Sequence, residues 1–231
     1  MNYLCWDIDG TLLRSAWAGY DALRDAIRDR YAIADYHFKH SLAGNTDSSI
    51  IREIVEEMKG LATKEEISGL MSAYEDYMKK YVPSHQGHLM PNVLETLTYL
   101  EQEAPEWRSC LLTGNTVTGS RLKVETYHIA RFFDLARSAT GDLAEDRADL
   151  ARILYDRLLK DQLITSVRQM IFVGDTPNDV RCAAAIDARC IIVLSGSEFK
   201  QEDFAALPPW QFLPKLPDNP EEFLKLISRA E

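Results

Sequence analysis

Asp7 and Asp9 lie two residues apart in the string Asp7-Ile8-Asp9-Gly10-Thr11, which closes the apolar run YLCW. Side chains at i and i+2 of a strand share a face, so both carboxylates can enter one pocket, and Gly10 lets the chain leave sharply without a Cβ penalty. A second group, Leu112-Thr113-Gly114-Asn115, follows the run SCLL. A hydroxyl and backbone N–H groups ahead of a helix can hold an anion. A third, Gly174-Asp175-Thr176-Pro177-Asn178-Asp179, follows MIFV. It sets two carboxylates on either side of a proline placed to start a helix, an oxygen-rich cluster suited to a hard cation such as magnesium. Between the second and third groups Arg147, in GDLAEDRADL, is the chosen cation, with Lys123 and Lys160 as rivals. Each feature has an ordinary reading, because Asp and Gly are common turn formers and most single arginines coat helix faces. A D-x-D-G-T string arises by chance in about 3 chains per 1,000 of this length, and G-D-x-x-x-D in about one in twenty. The order of the groups therefore carries more than any one of them.

These groups need strands that end where they begin. Residues 3–8, 109–113, 169–174 and 190–194 read as short buried strands, and FFDLARSA is a candidate for another. Helical periodicity fills most of the remainder. In 15–31, Trp17, Tyr20, Leu23, Ile27 and Tyr31 recur at helical spacing, with Ser15 as the expected N-cap. In 46–59 the isoleucines form one stripe and Gly60 is placed to stop it. In 63–81, Thr63 and Glu66 read as a capping box, and Pro83 is expected to follow the helix end. Further helices are predicted over 91–103, 117–129, 145–160, 177–186 and 219–229. Alternating strands and helices predict an α/β fold, a doubly wound parallel sheet. Residues 14–87 are expected to form an all-helical inserted domain, with 1–13 and 88–231 as the α/β core.

The chain has 231 residues, 26 Lys plus Arg against 36 Asp plus Glu, and a net charge of −10. Such a field repels phosphate backbones and anionic lipid, so neither nucleic acid nor membrane is expected as a partner. Cys5, Cys110, Cys182 and Cys190 show no metal-ligand spacing and suggest a reducing compartment. The N-terminus lacks a signal-peptide pattern, and no apolar run approaches the ~18 residues of a membrane span. A cytoplasmic protein, monomeric or a small homo-oligomer, is the expectation.

The succession D-x-D-G-T, T-G-N, Arg, G-D-x-x-x-D closely resembles the haloacid dehalogenase superfamily of aspartate-nucleophile phosphohydrolases. Within it the chain is most similar to the phosphoglycolate-phosphatase-like branch, whose helical cap lies between the first and second motifs, as 14–87 does here. The resemblance covers essentially the whole chain. It implies a Rossmann-like core and magnesium-dependent hydrolysis of a small phosphorylated metabolite. Asp7 would attack phosphorus and become an aspartyl-phosphate; Asp9 would protonate the leaving oxygen and then activate water. Gly10, Thr11, Thr113, Gly114 and Asn115 would surround the phosphate, with Arg147 where a lysine is usual. Asp175, supported by Asp179, would hold magnesium with the Asp7 carboxylate and the Asp9 backbone carbonyl. Phosphoryl transfer needs positioning and neutralisation of spread charge, and clustered carboxylates without a metal would oppose one another's ionisation.

Two departures stand out. Arginine is a planar fork where the usual lysine is a point charge, and the Lys-Pro pair common in this branch is absent. Asp187 stands where relatives often have glycine; Asp tolerates left-handed turns better than most residues. In the inserted domain Leu42-Ala43-Gly44-Asn45-Thr46-Asp47 reads as a turn into a helix whose positive end can face an anion, or in which Thr46 or Asp47 merely caps. Arg14, Trp17, Lys39 and His40 are candidates for the mouth of the site. His85 and His88 lack further ligands for zinc. Two other reactions suit the same scaffold: a dehalogenase, which would not need Asp9 or magnesium, and a sugar-phosphate mutase. A non-catalytic binding protein is the third alternative.

Overall fold

The computed structural model describes residues 1–39 and 41–229. Strand β1 (Asn2–Trp6) leads through a short β2 (Leu13–Arg14) into three helices, α1 (Ala18–Tyr31), α2 (Asp47–Lys59) and α3 (Lys64–Ser84). The chain returns at β3 (His88–Leu89) and then alternates: α4 (Val93–Glu103), β4 (Trp107–Leu111), α5 (Val117–Thr126), α6 (Arg147–Lys160), β5 (Met170–Gly174), α7 (Pro177–Ala184), β6 (Arg189–Val193), β7 (Gln211–Leu213) and α8 (Pro220–Ser228). The five longer-range strands form one parallel sheet in the order β4-β1-β5-β6-β7.

Both faces of this sheet are covered, which is why its strands read as continuous apolar runs. Leu4 and Trp6 project toward α4 and α8, where they join Leu97, Leu100, Phe223 and Ile227. Tyr3 and Cys5 project to the opposite face and join Leu150, Leu154 and Val180 of α6 and α7. Each large side chain withdrawn from water stabilises the fold by roughly 1.5–3 kcal/mol. The inserted helices have a separate core that includes Ile27, Ile51, Ile54, Leu70 and Met78. The antiparallel ribbon β2–β3, with Arg14 opposite His88, joins the insertion to the sheet. All four cysteines are free and buried. Among the described residues no helix is long and apolar enough to cross a membrane.

Local chemistry explains most element ends. Thr46 caps α2 by accepting from Ser49 N at 3.1 Å, and Gly60 ends that helix at φ 75°. Thr176 and Asp179 form a capping box around Pro177 at the start of α7. Asp187 adopts the left-handed conformation at φ 59°.

Four local expectations are corrected. Helix α1 begins at Ala18 rather than at a Ser15 cap: Ala16 and Trp17 are both left-handed (φ 50° and 68°), so the chain turns once more before the helix starts. Pro83 lies inside the last turn of α3, not beyond it. Thr63 caps α3 through Glu66 N, without the reciprocal Glu66 contact of a full capping box. The FFDLARSA segment makes only single bridges, Phe133 with Ser109 and Ala139 with Leu112, between two short 3-10 turns. Its Asp134 and Ser138 are used instead to bind backbone and side chains locally, Ser138 Oγ donating to Asp134 O at 2.9 Å.

Candidate active site

The carboxyl ends of β1, β4 and β5 meet, and their loops form the floor of a cavity of about 860 Å³ roofed by the insertion. Asp7, one residue past β1, is buried at 5% exposure. Its Oδ1 lies 3.1 Å from Arg147 Nη2, and the Thr113 hydroxyl donates to it. Burial pushes the Asp7 carboxyl up to about 6, against the pull of Arg147.

Arg147, the first residue of α6, is itself buried at 6% exposure. The same Nη2 reaches Asp179 Oδ1 at 2.5 Å. One nitrogen therefore serves both carboxylates, so the guanidinium acts here as a point charge rather than as a fork. The second oxygen of Asp179 accepts from Asp175 N, Thr176 N and Thr176 Oγ1 at 3.1, 2.9 and 2.7 Å. Asp179 is thus engaged on both oxygens, shaping the loop that carries Asp175.

Asp175 accepts from Thr11 Oγ1 at 3.0 Å through Oδ1. Burial, reinforced by Asp179 and Asp7, raises its carboxyl well above the ordinary range. Gly10, at φ 83°, presses its Cα side against this group: a Cβ there would fall 2.3 Å from Asp175 Oδ2. Ligand atoms of Asp7, Asp175 and Asp179 all lie within 4.8 Å of one another, the metal-capable cluster found among the described residues. An all-oxygen set in which burial raises the Asp7 and Asp175 carboxyls fits a hard divalent cation, which would replace their protons.

Asp9 stands apart from this cluster, half-exposed to the cavity. Its Oδ2 accepts from Asn115 Nδ2 at 2.8 Å and Lys123 Nζ at 2.5 Å, and Lys123 also donates to Asn115 Oδ1 at 2.6 Å. Asn115 Nδ2 in turn donates to Thr113 Oγ1 at 2.9 Å. Two cations consequently divide the floor, Arg147 at Asp7 and buried Lys123 at Asp9; Lys160 is exposed at the far end of α6.

The roof meets the floor at one seam. Asp47 N donates to Gly114 O at 2.7 Å, and Asp47 Oδ2 accepts from Thr116 N at 2.9 Å. Thr46 Oγ1, besides capping α2, donates to Glu145 O at 2.7 Å. Gly114 is required here, because a Cβ would sit 2.0 Å from Asn45 O. Burial pushes the Asp47 carboxyl up to about 6, with Lys123 drawing it down. Asp47 therefore does more than begin a helix: it joins the insertion to the Thr113–Thr116 loop inside the cavity.

In the sequence Lys123 is a rival to Arg147, and Asp47 belongs to a turn that either leads a helix end toward an anion or merely caps it. A signal for Lys123 exists, since Ser120, Lys123 and Val124 share the buried face of α5. No comparable signal marks Asp47, because an acid in the first turn of a helix is ordinary. Arg14 and Trp17 line the cavity, whereas Lys39 pairs with Glu57 at 3.1 Å outside it, and His40 lies outside the described residues. His85 bonds Asp21 at 3.2 Å, and neither His85 nor His88 joins the metal-capable cluster.

Residues 4–193 match the family profile described as haloacid dehalogenase-like hydrolase. Solved structures with the same fold include CbbY from Rhodobacter sphaeroides in complex with phosphate, at 16% identity and a TM-score of 0.72, covering 93% of this chain and 95% of that one. A CbbY mutant in complex with xylulose-(1,5)bisphosphate aligns over the same shares with a TM-score of 0.73 at 16% identity. A predicted phosphoglycolate phosphatase from Haemophilus somnus aligns at 18% identity and a TM-score of 0.70, covering 98% and 97% of the two chains. No curated protein sequence gives a significant match.

Proposed function

Because this chain belongs to the haloacid dehalogenase-like hydrolases, we propose that it is a magnesium-dependent phosphomonoester hydrolase for a small phosphorylated metabolite, working through an aspartyl-phosphate. The observation that carries this reading is the division of the cavity floor. Asp7 lies with Asp175 and Arg147 on one side, while Asp9 is held separately by Lys123 and Asn115. Two carboxylates in different surroundings suit two different roles.

In the first half-reaction a carboxylate oxygen of Asp7 forms a bond to phosphorus and the ester P–O bond breaks, with Asp9 giving its proton to the departing alkoxide. In the second, Asp9 takes a proton from water, whose oxygen bonds phosphorus as the Asp7–phosphorus bond breaks. Both hydrogen bonds to Asp9 fall on Oδ2, which leaves Oδ1 for this proton. Thr113, Asn115 and the Gly114 loop would bind phosphoryl oxygens, and Gly10 and Thr11 would keep the first loop close beneath them. Arg147 offsets the repulsion between Asp7 and an anionic substrate. Asp7, Asp175 and the Asp9 carbonyl would hold magnesium, with Asp179 in support; when bound, the ion supplies charge neutralisation at the phosphoryl oxygens. Residues 14–87 would act as the cap. That CbbY has been seen with phosphate and with a bisphosphate supports a phosphorylated substrate. Asp9 favours this over a dehalogenase, which has no leaving alkoxide to protonate.

The test is phosphate release from a panel of phosphorylated metabolites, with magnesium and with chelator. Turnover should require the metal and fall at least about 1,000-fold in Asp7→Asn. Undiminished turnover by pure Asp7→Asn protein would rule out the assigned nucleophile.

A further inference from the structure

The floor of the cavity is polar and its roof is aromatic. Trp17, Tyr20 and Phe38 line the roof in sequence, Trp17 edge-on to Tyr20 at 5.9 Å and Tyr20 against Phe38 at 4.9 Å. Trp17 is 66% exposed, although tryptophan is ordinarily well buried. It is presented by two successive left-handed residues, Ala16 and Trp17, a conformation seldom taken by residues other than glycine. Backbone outliers of this kind concentrate at ligand clamps. A cavity of about 860 Å³ also exceeds what a two-carbon acid phosphate requires and falls in the range of sites for drug-sized ligands.

The charges lining the cavity point the same way. Of its lysine and arginine side chains among the described residues, Lys123 is tied to Asp9 and Arg147 to Asp7 and Asp179. Arg14, nearer the roof, donates Nη2 to Gly196 O at 2.6 Å. Asp47 adds a carboxylate to the same space. Two of these three cations are paired with carboxylates and only Arg14 is not, whereas beside Trp17, Tyr20 and Phe38 a flat uncharged ring meets a stacking surface.

Resting on the phosphohydrolase reading above, we propose that the substrate is a phosphomonoester whose alcohol carries a planar aromatic ring, with Trp17 as the platform on which the ring stacks. The Tyr20 and Phe38 rings back this platform, and the phosphoryl group lies at Asp7.

The matched pair that isolates the ring is a nucleoside 5′-monophosphate against ribose 5-phosphate, which differ by the base alone. The four common nucleoside monophosphates and pyridoxal 5′-phosphate supply the rings, and 2-phosphoglycolate supplies the small extreme. The expected result is a kcat/KM at least about tenfold higher for one or more ring-bearing substrates than for ribose 5-phosphate, given that stacking on one aromatic face contributes roughly 5- to 100-fold. Trp17→Ala should shrink that ratio and Trp17→Phe should restore much of it. Equal or better turnover of ribose 5-phosphate or 2-phosphoglycolate than of every ring-bearing compound overturns the proposal, as does an unchanged ratio in Trp17→Ala.

Failure of the hydrolase reading is recognised separately, by absence of magnesium-dependent phosphate release even from acetyl phosphate. Binding then decides the ring question by itself. In Asp7→Asn protein, ring-bearing phosphates should quench tryptophan fluorescence where ribose 5-phosphate does not, and the quenching should vanish when Trp17→Phe is added. Absence of such quenching counts against the proposal.

Discussion

At Asp7 two opposed influences meet: burial favours the neutral acid, and Arg147 at 3.1 Å favours the carboxylate. Arg147 also faces Asp179, so removing its charge strands two buried acids. Arg147→Met should cost about 3–5 kcal/mol of stability, the usual result of breaking a buried ion pair from one side. Arg147→Lys should cost clearly less, because a single nitrogen, Nη2, makes both contacts and an ammonium can imitate it. Urea unfolding of the three proteins measures this; equal losses in Met and Lys variants would mean that the guanidinium plane, rather than its charge, matters. The guanidinium of Arg147 is therefore used here much as a lysine's single charge would be.

Elements position these residues by ending together. Strands β1, β4 and β5 are neighbours in the sheet, so three loops that begin at Asp7, Leu112 and Asp175 open into one cavity. The insertion reaches that cavity through the start of α2, where the Asn45 carbonyl lies against Gly114. Gly114→Ala places a methyl where that carbonyl stands. The seam should open by about 1 Å, with kcat/KM falling about 100-fold as expected for a displacement of that size, while far-ultraviolet circular dichroism stays unchanged. Retained activity would mean that the closed seam is not the working geometry. Helices α1–α3 have an apolar core distinct from those on the sheet, with Leu122 of α5 packed against it, so a shift of the insertion disturbs the α5 contact and leaves the sheet packed.

For the whole molecule, the raised carboxyls make stability depend on pH and metal together. The folded values of Asp7 and Asp47, about 6, exceed the ordinary 3.8. The folded protein therefore holds protons that the unfolded chain has lost. This contribution is fully present below about 3.8 and is lost as pH rises through about 6. A divalent cation held at Asp7, as proposed, would need the deprotonated carboxylate and the folded site, so its stabilisation should grow across the same interval. Thermal unfolding with and without magnesium at pH 5, 6 and 7.5 should show a metal-induced rise in Tm that increases with pH and is largely lost in Asp7→Asn. A rise independent of pH would place the cation away from Asp7.

What the sequence determined by itself is what short-range chemistry controls. Apolar runs of four or five residues closing on Asp7, Thr113 and Asp175 set the strands and the loops that follow them, and the caps at Thr46, Gly60 and Thr176 set helix ends. Each depends on neighbours within about one turn of chain. Where local rules competed, the sequence was ambiguous: Ser15 resembled a cap, FFDLARSA resembled a strand, and Pro83 resembled a stop, yet a proline is tolerated where its turn still closes. Tertiary structure alone decided the partnerships. Lys123 reaches Asp9 across 114 residues and Asp47 reaches Thr116 across 69, and neither charge announces its partner, because a lysine on a helix and an acid in a first turn are the commonest of solvent-facing residues. The grouping of Trp17, Tyr20 and Phe38 is likewise a product of folding: the spacing of Trp17 and Tyr20 served a helix equally well, and only the packed insertion brings Phe38 beside Tyr20 at the cavity wall.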